Sequence, residues 1–203
     1  MPVNGGRLIA FEGLDGSGKS TQLELLAAHL RATGCDVVTT REPTEFPSGQ
    51  RIREMARSGE LLEPEEELRW FVEDRRVHVD QVIRPELRAD RIVLTDRYYL
   101  STVAYQGARG LDSEKILGDS EAEFPIPDLV LLLEIDPQIA FERVHARGSE
   151  IEGVFEQRAF LSRVASVFDA LDCTYLERLP GDGERGQIEA IIAERVRLRL
   201  GLG

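Results

Sequence analysis

A glycine-rich segment near the N-terminus has the residue types and the spacing that bind nucleotide phosphates. Residues 13–20 read Gly-Leu-Asp-Gly-Ser-Gly-Lys-Ser, which fits the pattern G-x-x-x-x-G-K-[ST] without a mismatch. Glycines let successive backbone N–H groups converge on phosphate oxygens, while Lys19 can reach the terminal phosphates and the Ser20 hydroxyl can ligate Mg²⁺. The predicted phosphate-binding residues lie in this loop and at the start of the helix that follows it; they are Gly13, Asp15, Gly16, Ser17, Gly18, Lys19, Ser20 and Thr21.

A carboxylate follows an apolar segment farther along the chain. Residues 91–96 read Arg-Ile-Val-Leu-Thr-Asp, which is typical of a buried strand that ends in an acidic residue. The carboxyl ends of parallel strands meet at one edge of a sheet, so Asp96 is expected beside the phosphate-binding loop. The alternative interpretation is that Asp96 caps a following helix. Beside such a loop we favour a metal site formed by Ser20 and Asp96.

Apolar segments alternate with amphipathic ones along the rest of the chain. We predict strands at 7–12, 36–40, 91–96, 129–135 and, more briefly, around 174–176. Helices are expected after residue 18, at about 50–58, from Pro64, and at about 138–146, 155–171 and 185–199, with Pro85 kinking or ending the long helix. This alternation predicts an α/β fold with three layers, a P-loop NTPase fold whose parallel sheet of about five strands is flanked by helices. We expect residues 1–203 to form one domain.

The composition narrows the class of protein. The chain has 25 Lys and Arg against 37 Asp and Glu, and its net charge of −12 argues against non-specific binding to nucleic acid. The longest apolar run, residues 129–133, is too short to cross a bilayer, and the N-terminus lacks the regions of a signal peptide. The only asparagine is Asn4, so the Asn-Lys-x-Asp segment of guanine-specific GTPases is missing. We therefore expect a cytoplasmic protein with small-molecule substrates and no nucleic acid or membrane partner.

Five motifs, in order along the chain as far as Leu176, resemble the thymidylate kinase family. They are Phe11–Gln22 around the phosphate-binding loop, Thr40-Arg41-Glu42-Pro43 after the second strand, Phe71 with Arg75, Asp96-Arg97-Tyr98, and residues 101–107, Ser-Thr-Val-Ala-Tyr-Gln-Gly. The resemblance implies transfer of a phosphate from ATP to dTMP, with Mg²⁺ as cofactor, and a homodimer.

The resemblance also implies roles for single residues of an acceptor site. Arg41 and Arg97 would grip the 5′-phosphate of the acceptor, and Asp15 would accept a hydrogen bond from the sugar 3′-hydroxyl and contact a phosphate-binding arginine. Guanidinium groups suit the first role because they bind phosphate in a fork geometry. The alternative for both arginines is surface ion pairs with local acids such as Glu42.

The thymine base has its own implied residues. Phe71 would stack on the base, and Arg75, four residues later on the same helix face, would bind its exocyclic carbonyl. Thr102 would bind N3, and Tyr105 would lie beneath C2′ and exclude a 2′-hydroxyl; the alternative for both is helix packing. The implied substrate-binding residues together are Asp15, Arg41, Phe71, Arg75, Arg97, Thr102, Tyr105 and Gln106.

A short mobile lid is expected at about 143–158. One branch of the family carries an arginine in the phosphate-binding loop, at the position held here by Gly16, and the other supplies lid arginines. The chain resembles the second branch, and glycines at 148 and 153 suit a mobile segment. Arg147 is the first candidate for the lid arginine, followed by Arg143 and Arg158. The implied catalytic residues are Lys19, Arg97, Arg147 and Asp15.

Two alternatives for function remain open at this point. The chain could be a P-loop kinase of another nucleotide or of a nucleoside, although paired acceptor arginines favour a phosphorylated acceptor. It could also be a nucleotide-binding regulatory protein with little turnover, which a lid poor in arginine would favour.

Overall fold

A parallel β-sheet positions the residues singled out above. The computed structural model describes residues 5–59, 61–146 and 154–202. Its strands are β1 (Arg7–Glu12), β2 (Val37–Arg41), β3 (Ile92–Asp96), β4 (Leu129–Glu134) and β5 (Leu176–Pro180). They form one sheet in the order β2-β3-β1-β4-β5, and all four pairings are parallel. The predicted α/β fold with five parallel strands is confirmed.

Helices cover both faces of this sheet. They are α1 (Lys19–Ala32), α2 (Pro47–Ser58), α3 (Pro64–His78), α4 (Arg84–Arg88), α5 (Tyr99–Ala108), α6 (Ser113–Glu123), α7 (Pro137–His145), α8 (Val154–Ala170) and α9 (Arg185–Leu200). Side chains of β1 alternate between the two faces, because successive residues of a strand point in opposite directions. Leu8 and Ala10 pack with residues of α5 and α8, whereas Ile9 and Phe11 pack with residues of α1 and α9.

Burial on both faces explains why the central strands are apolar almost throughout. Residues 8–11 of β1 and 129–133 of β4 are at most 1% exposed. Among the described residues, no helix on either face is both long enough and apolar enough to span a membrane.

The carboxyl ends of β1, β2 and β3 meet at one edge. The register pairs Phe11 with Asp96 and Arg41 with Asp96, so the ends of all three strands lie side by side. The phosphate-binding loop leaves β1 at this edge, and Asp96, Arg41 and the start of α1 are therefore neighbours. Ligands of open α/β sheets bind at such an edge.

Three elements differ from the sequence predictions. Of the two outcomes predicted for Pro85, kinking or ending the long helix, ending is not seen: a π-helical turn at Val79–Ile83 precedes Pro85, and α4 continues to Arg88. β5 begins at Leu176, later than predicted, since its half-exposed residues include Glu177 and Arg178 and form no apolar run. Helices α5 and α6 lie between β3 and β4, where no helix was assigned from the sequence.

The predicted lid is described only at its flanks. Arg143 lies in α7 and Arg158 in α8. Arg147 and the rest of 147–153 lie outside the described residues. The mobility of this segment and the role of Arg147 stay predictions.

Candidate active site

The phosphate-binding loop connects β1 to α1 through three glycines with positive φ. Gly13, Gly16 and Gly18 have φ of 135°, 87° and 96°, a region that side chains with a Cβ rarely adopt. Space is also missing, because a Cβ on Gly13 would lie 2.5 Å from the carbonyl oxygen of Leu133. The loop can therefore turn tightly and present its N–H groups at the positive end of α1.

Lys19 lies inside this loop. Its residue is 5% exposed, and its Nζ donates to the carbonyl oxygens of Gly13 at 3.0 Å and Leu14 at 2.8 Å. Burial, followed by the charge of Arg97, lowers the pKa of Lys19 to about 8. An incoming polyphosphate would supply the negative charge that favours the protonated lysine.

Ser20 and Asp96 meet where the predicted metal site lies. The Ser20 hydroxyl donates to Oδ2 of Asp96. Oδ1 of Asp96 is buried and has no hydrogen-bond partner among the described residues. One carboxylate and one hydroxyl beside a phosphate site suit Mg²⁺, which protein groups hold through one or two carboxylates together with phosphate oxygens. The two residues therefore fit the ion.

Arg97 follows β3 directly and lies beside the phosphate-binding loop. Its φ is 72°, in the left-handed region. Its Nη2 donates to Oδ1 of Asp15 at 2.6 Å, and its Nη1 donates to the Ser101 hydroxyl at 2.8 Å. The Arg97 guanidinium holds the pKa of Asp15 down at about 2, although burial opposes this. Asp15 is therefore ionised, as its implied role requires.

Glu12 supports Arg97 indirectly, through the Ser101 hydroxyl that bonds both residues, and no sequence motif identified that role. The Glu12 carboxylate accepts hydrogen bonds from the N–H groups of Tyr98 (2.8 Å) and Ser101 (3.1 Å) and from the Ser101 hydroxyl (2.5 Å). Burial raises its pKa to about 7, despite the bond from Ser101 and the charge of Arg97. A charged residue at the end of a buried strand was the available signal.

Arg75 occupies the base end of the implied acceptor site. It is 1% exposed, and its Nε and Nη2 donate to Oε2 of Glu42 at 2.9 and 2.6 Å. Nη2 also donates to the Thr102 hydroxyl at 2.8 Å. The third nitrogen, Nη1, is buried without a partner among the described residues. Arg75 and Thr102 are thus hydrogen-bonded to each other, and the Nη1 group of Arg75 remains available to donate to a ligand.

A cavity of about 280 Å³ adjoins these residues and brings together most of the implied acceptor residues. Its lining includes Asp15, Phe71, Arg75, Arg97, Thr102, Tyr105 and Gln106. Oε1 of Gln106 is buried and has no partner in the described part of the chain. A polar group without a partner in a cavity wall is costly unless a ligand satisfies it.

Tyr105 lines the same cavity, beside two charged groups. Its hydroxyl lies 3.4 Å from Nη2 of Arg97 and 3.4 Å from Oδ2 of Asp15. The guanidinium of Arg97 lies 5.1 Å from the centre of its ring, within cation–π range. The ring is therefore held beside the two charged groups.

Arg41 lies outside this cavity. It lines a second cavity of about 240 Å³ that contains the phosphate-binding loop, Asp96 and Arg97. Its side chain is 62% exposed and pairs with Glu45. Arg41 thus forms an ion pair with a local acid, Glu45, as its alternative interpretation predicts, but it does so at the rim of the phosphate cavity.

Arg53 lines both cavities and has no motif to mark it in the sequence. It lies in α2, and its Nη1 donates to the carbonyl oxygen of Pro43 at 2.8 Å.

Arg143, a lid candidate, donates from Nη1 to the carbonyl oxygens of Gly181 at 3.0 Å and Gly16 at 3.2 Å. In this structure Arg143 thus ties the phosphate-binding loop to the loop after β5.

The parallel sheet, the glycine loop and the Ser20–Asp96 pair together define a P-loop nucleotide-binding protein. A family model described as thymidylate kinase matches residues 11–176. A thymidylate kinase of Desulfotalea psychrophila is 44% identical over 179 residues, 88% of this chain and 88% of the relative. One of Akkermansia muciniphila is 40% identical over 194 residues, 96% and 93% of the two chains. The chain belongs to the thymidylate kinase family.

Proposed function

We propose that the protein transfers the γ-phosphate of Mg·ATP to dTMP, giving dTDP and ADP. One observation carries this proposal: the phosphate cavity and the acceptor cavity share a wall formed by Asp15, Arg97, Arg53 and residues 42–43. A donor phosphate and an acceptor phosphate would therefore meet at Arg97. Membership of the thymidylate kinase family supports the identity of the acceptor.

The donor side would work by positioning and charge. The loop N–H groups and Lys19 would hold the β- and γ-phosphates, and Ser20 and Asp96 would hold Mg²⁺. When bound, Mg²⁺ neutralises charge on the phosphates. Lys19 would leave its two carbonyl acceptors for phosphate oxygens and be protonated in the complex. Holding both reactants in line accounts for most of the rate in this type of reaction.

The acceptor side would read phosphate, sugar and base at separate places. Arg97 would bind the 5′-phosphate, assisted by Arg41, while Asp15 would accept from the 3′-hydroxyl. Thymine offers two carbonyl acceptors and one N–H donor. Nη1 of Arg75 would complement a carbonyl, and a wall oxygen of Thr102 or Gln106 would accept from N3–H. Phe71 would stack on the ring.

Further parts of the proposal concern the chain as a whole. We propose that it forms one domain, that residues around 143–158 act as a lid, and that Arg147 contacts the migrating phosphoryl group, with Arg143 and Arg158 as the alternatives. The homodimer and the cytoplasmic location also stay proposals.

Coupled ADP release with a panel of nucleoside monophosphates and nucleosides tests the proposed function. We expect kcat/KM to be highest for dTMP and activity to require Mg²⁺. The matched control is Lys19→Ala, whose turnover should fall by about a hundredfold or more. A different preferred acceptor would make the protein a kinase of that compound. Binding of ATP without turnover of any acceptor would favour the regulatory alternative.

A further inference from the structure

His78 is a buried residue beyond the acceptor cavity that the proposed reaction does not use. It ends α3, is 0% exposed, and lies between β2 and the acceptor site. Its Nδ1 is 2.9 Å from Oε1 of Glu42, and its Nε2 is 2.8 Å from the Thr40 hydroxyl. Both ring nitrogens are therefore partnered, one on each side.

The partners assign the proton on the ring. A carboxylate accepts hydrogen bonds only, so Nδ1 carries the hydrogen and donates to Glu42. The hydroxyl of Thr40 can donate to Nε2 or accept from it, so both ring nitrogens have a hydrogen-bond partner. Burial alone would raise the pKa of Glu42, but Arg75 and His78 hold it below its ordinary value, so this carboxylate is ionised.

Glu42 connects His78 to the base subsite, because its two oxygens have different partners. Oε1 faces His78, whereas Oε2 accepts from Nε and Nη2 of Arg75. Rotation of the carboxylate would break both sets of bonds at once. Because Glu42 holds Nε and Nη2 of Arg75, the position and direction of its third nitrogen, Nη1, which has no partner among the described residues, are fixed as well.

We propose that His78 is a positioning residue of the base subsite, which fixes the carboxylate of Glu42 and through it the guanidinium of Arg75. This inference rests on the proposed function, since it requires Arg75 to read the base. Contacts to a base that does not react contribute similarly before and during the reaction. Loss of positioning should therefore raise KM for dTMP and leave kcat and the KM for ATP nearly unchanged.

Three substitutions separate the two hydrogen bonds of His78. The amide nitrogen in His78→Asn can take the place of Nδ1 and donate to Glu42, whereas the amide in His78→Gln reaches toward Thr40, and His78→Leu removes both. We expect KM for dTMP to rise about tenfold or more in the Gln and Leu variants, and by less than about threefold in the Asn variant. His29→Gln, at an exposed position of α1, is the matched control.

Steady-state kinetics with each substrate varied, together with calorimetric titration of dTMP, tests the inference. A KM for dTMP within twofold of the parent in both the Gln and Leu variants would overturn it. So would equal increases of both KM values, which would indicate a merely structural role. If the Leu variant fails to fold, comparing the KM for dTMP of the Asn and Gln variants tests the inference.

Failure of the proposed function is a separate result: the parent would release no ADP with dTMP, and the titrations of dTMP would still report the positioning by His78. A parent that binds no dTMP overturns both.

Discussion

Buried carboxylates hold the arginines of the acceptor site in place. Glu12 supports Arg97 through the Ser101 hydroxyl, which donates to Glu12 and accepts from Arg97. Glu42 supports Arg75 directly. In both cases a cation that would otherwise sample many rotamers is fixed before substrate binds, so less conformational entropy is lost on binding. Preorganised charges of this kind also stabilise a transition state without reorganising.

The depressed pKa of Lys19 predicts that binding of Mg·ATP depends on pH. Between pH 7 and 9.5 the free protein loses the Lys19 proton around pH 8, whereas bound phosphates favour the charged form. Affinity should therefore fall as pH rises through 8, by up to about tenfold per pH unit. Titration calorimetry at several pH values measures this. In Lys19→Met the affinity should be weaker and nearly flat over the same range; a parent curve just as flat would contradict the assignment.

Tyr105 predicts how the site separates deoxyribose from ribose. Its ring would pack against C2′ and offer a 2′-hydroxyl no partner, at a cost of roughly 1–3 kcal/mol. Tyr105→Ala should therefore narrow the preference for dTMP over ribothymidine monophosphate by about ten- to a hundredfold. Tyr105→Phe keeps the ring and should keep the preference. The measurement is the ratio of kcat/KM for the two acceptors. An unchanged ratio in the Ala variant would show that Tyr105 has only a packing role and does not select deoxyribose.

Sequence motifs and the family resemblance single out candidate site residues, whose roles stay predictions, but they do not single out the residues that support them. The phosphate-binding loop, Asp96 and the Arg75–Thr102 pair could be found because spacing or family resemblance marks them. Glu12 and His78 could not be assigned their contacts, since their partners come from distant parts of the chain. Arg53 bonds residues only 8–10 positions away, but no motif marks it. Glu12 contacts Ser101, 89 residues away, and His78 contacts Glu42, 36 residues away. Only the fold brings such pairs together.

At the scale of elements, one loop determines how the acceptor site is built. The segment between β2 and α2, together with the first turn of α2, is tied to α3 by Asp74. The Asp74 carboxylate accepts from the N–H of Thr44 at 2.8 Å and from the Ser48 hydroxyl of α2 at 2.8 Å. Asp74 is 1% exposed, next to Arg75 in sequence. The loop that follows Arg41 is therefore fixed to the helix that carries Arg75, the arginine proposed to read the base.

Gly49 predicts the tolerance of this loop to added volume. A Cβ there would lie 2.1 Å from the carbonyl oxygen and 2.4 Å from the nitrogen of Thr44, both backbone atoms. Gly49→Ala should lower the free energy of unfolding by about 1–3 kcal/mol or more, and raise KM for dTMP because residues 41–43 move. In α6, a Cβ on Gly118 meets nothing within 4 Å.

Gly118→Ala is therefore the matched control for Gly49→Ala. It should stabilise the protein by about 0.5–1 kcal/mol, because alanine favours a helix over glycine. Urea unfolding of both variants gives the comparison. Equal stability of the two variants would show that the loop has room to move away from α2.

Strands that form a continuous apolar segment could be predicted from the sequence, whereas elements that depend on contacts with distant parts of the chain could not. β1, β3 and β4 match their predicted positions because burial on both faces makes them continuous apolar segments. β5 lies at the edge of the sheet, so its burial is partial and its sequence is mixed. The π-helical turn precedes Pro85, which lacks the N–H of a regular helix, but no hydrophobic period in the sequence specifies such a turn.

Across the whole molecule, Glu12 couples stability to pH. Its pKa is raised from 4.5 to about 7, so between these values the native protein keeps a proton that the unfolded chain has released. The contribution of Glu12 is therefore present below about pH 4.5 and is lost as pH rises to 7. Glu12→Gln cannot ionise and should gain stability relative to the parent over this window, by on the order of 3 kcal/mol. Urea unfolding from pH 4.5 to 7.5 measures the difference; a constant difference would show that Glu12 has an ordinary pKa.

The strand order has a consequence for synthesis on the ribosome. β1 is made first but lies at the centre of the sheet, between β3 and β4, so its second partner is complete only at Glu134. At about 5–20 residues per second, the ribosome needs roughly 6–24 s to add the intervening chain. The first partner of β1, β3, is complete at Asp96, but the other edge of β1 stays unpaired until Glu134 is added. An apolar strand with an open edge is the type of segment that aggregates or binds chaperones. Chains released before residue 134 are therefore expected to be substrates for chaperones and proteases.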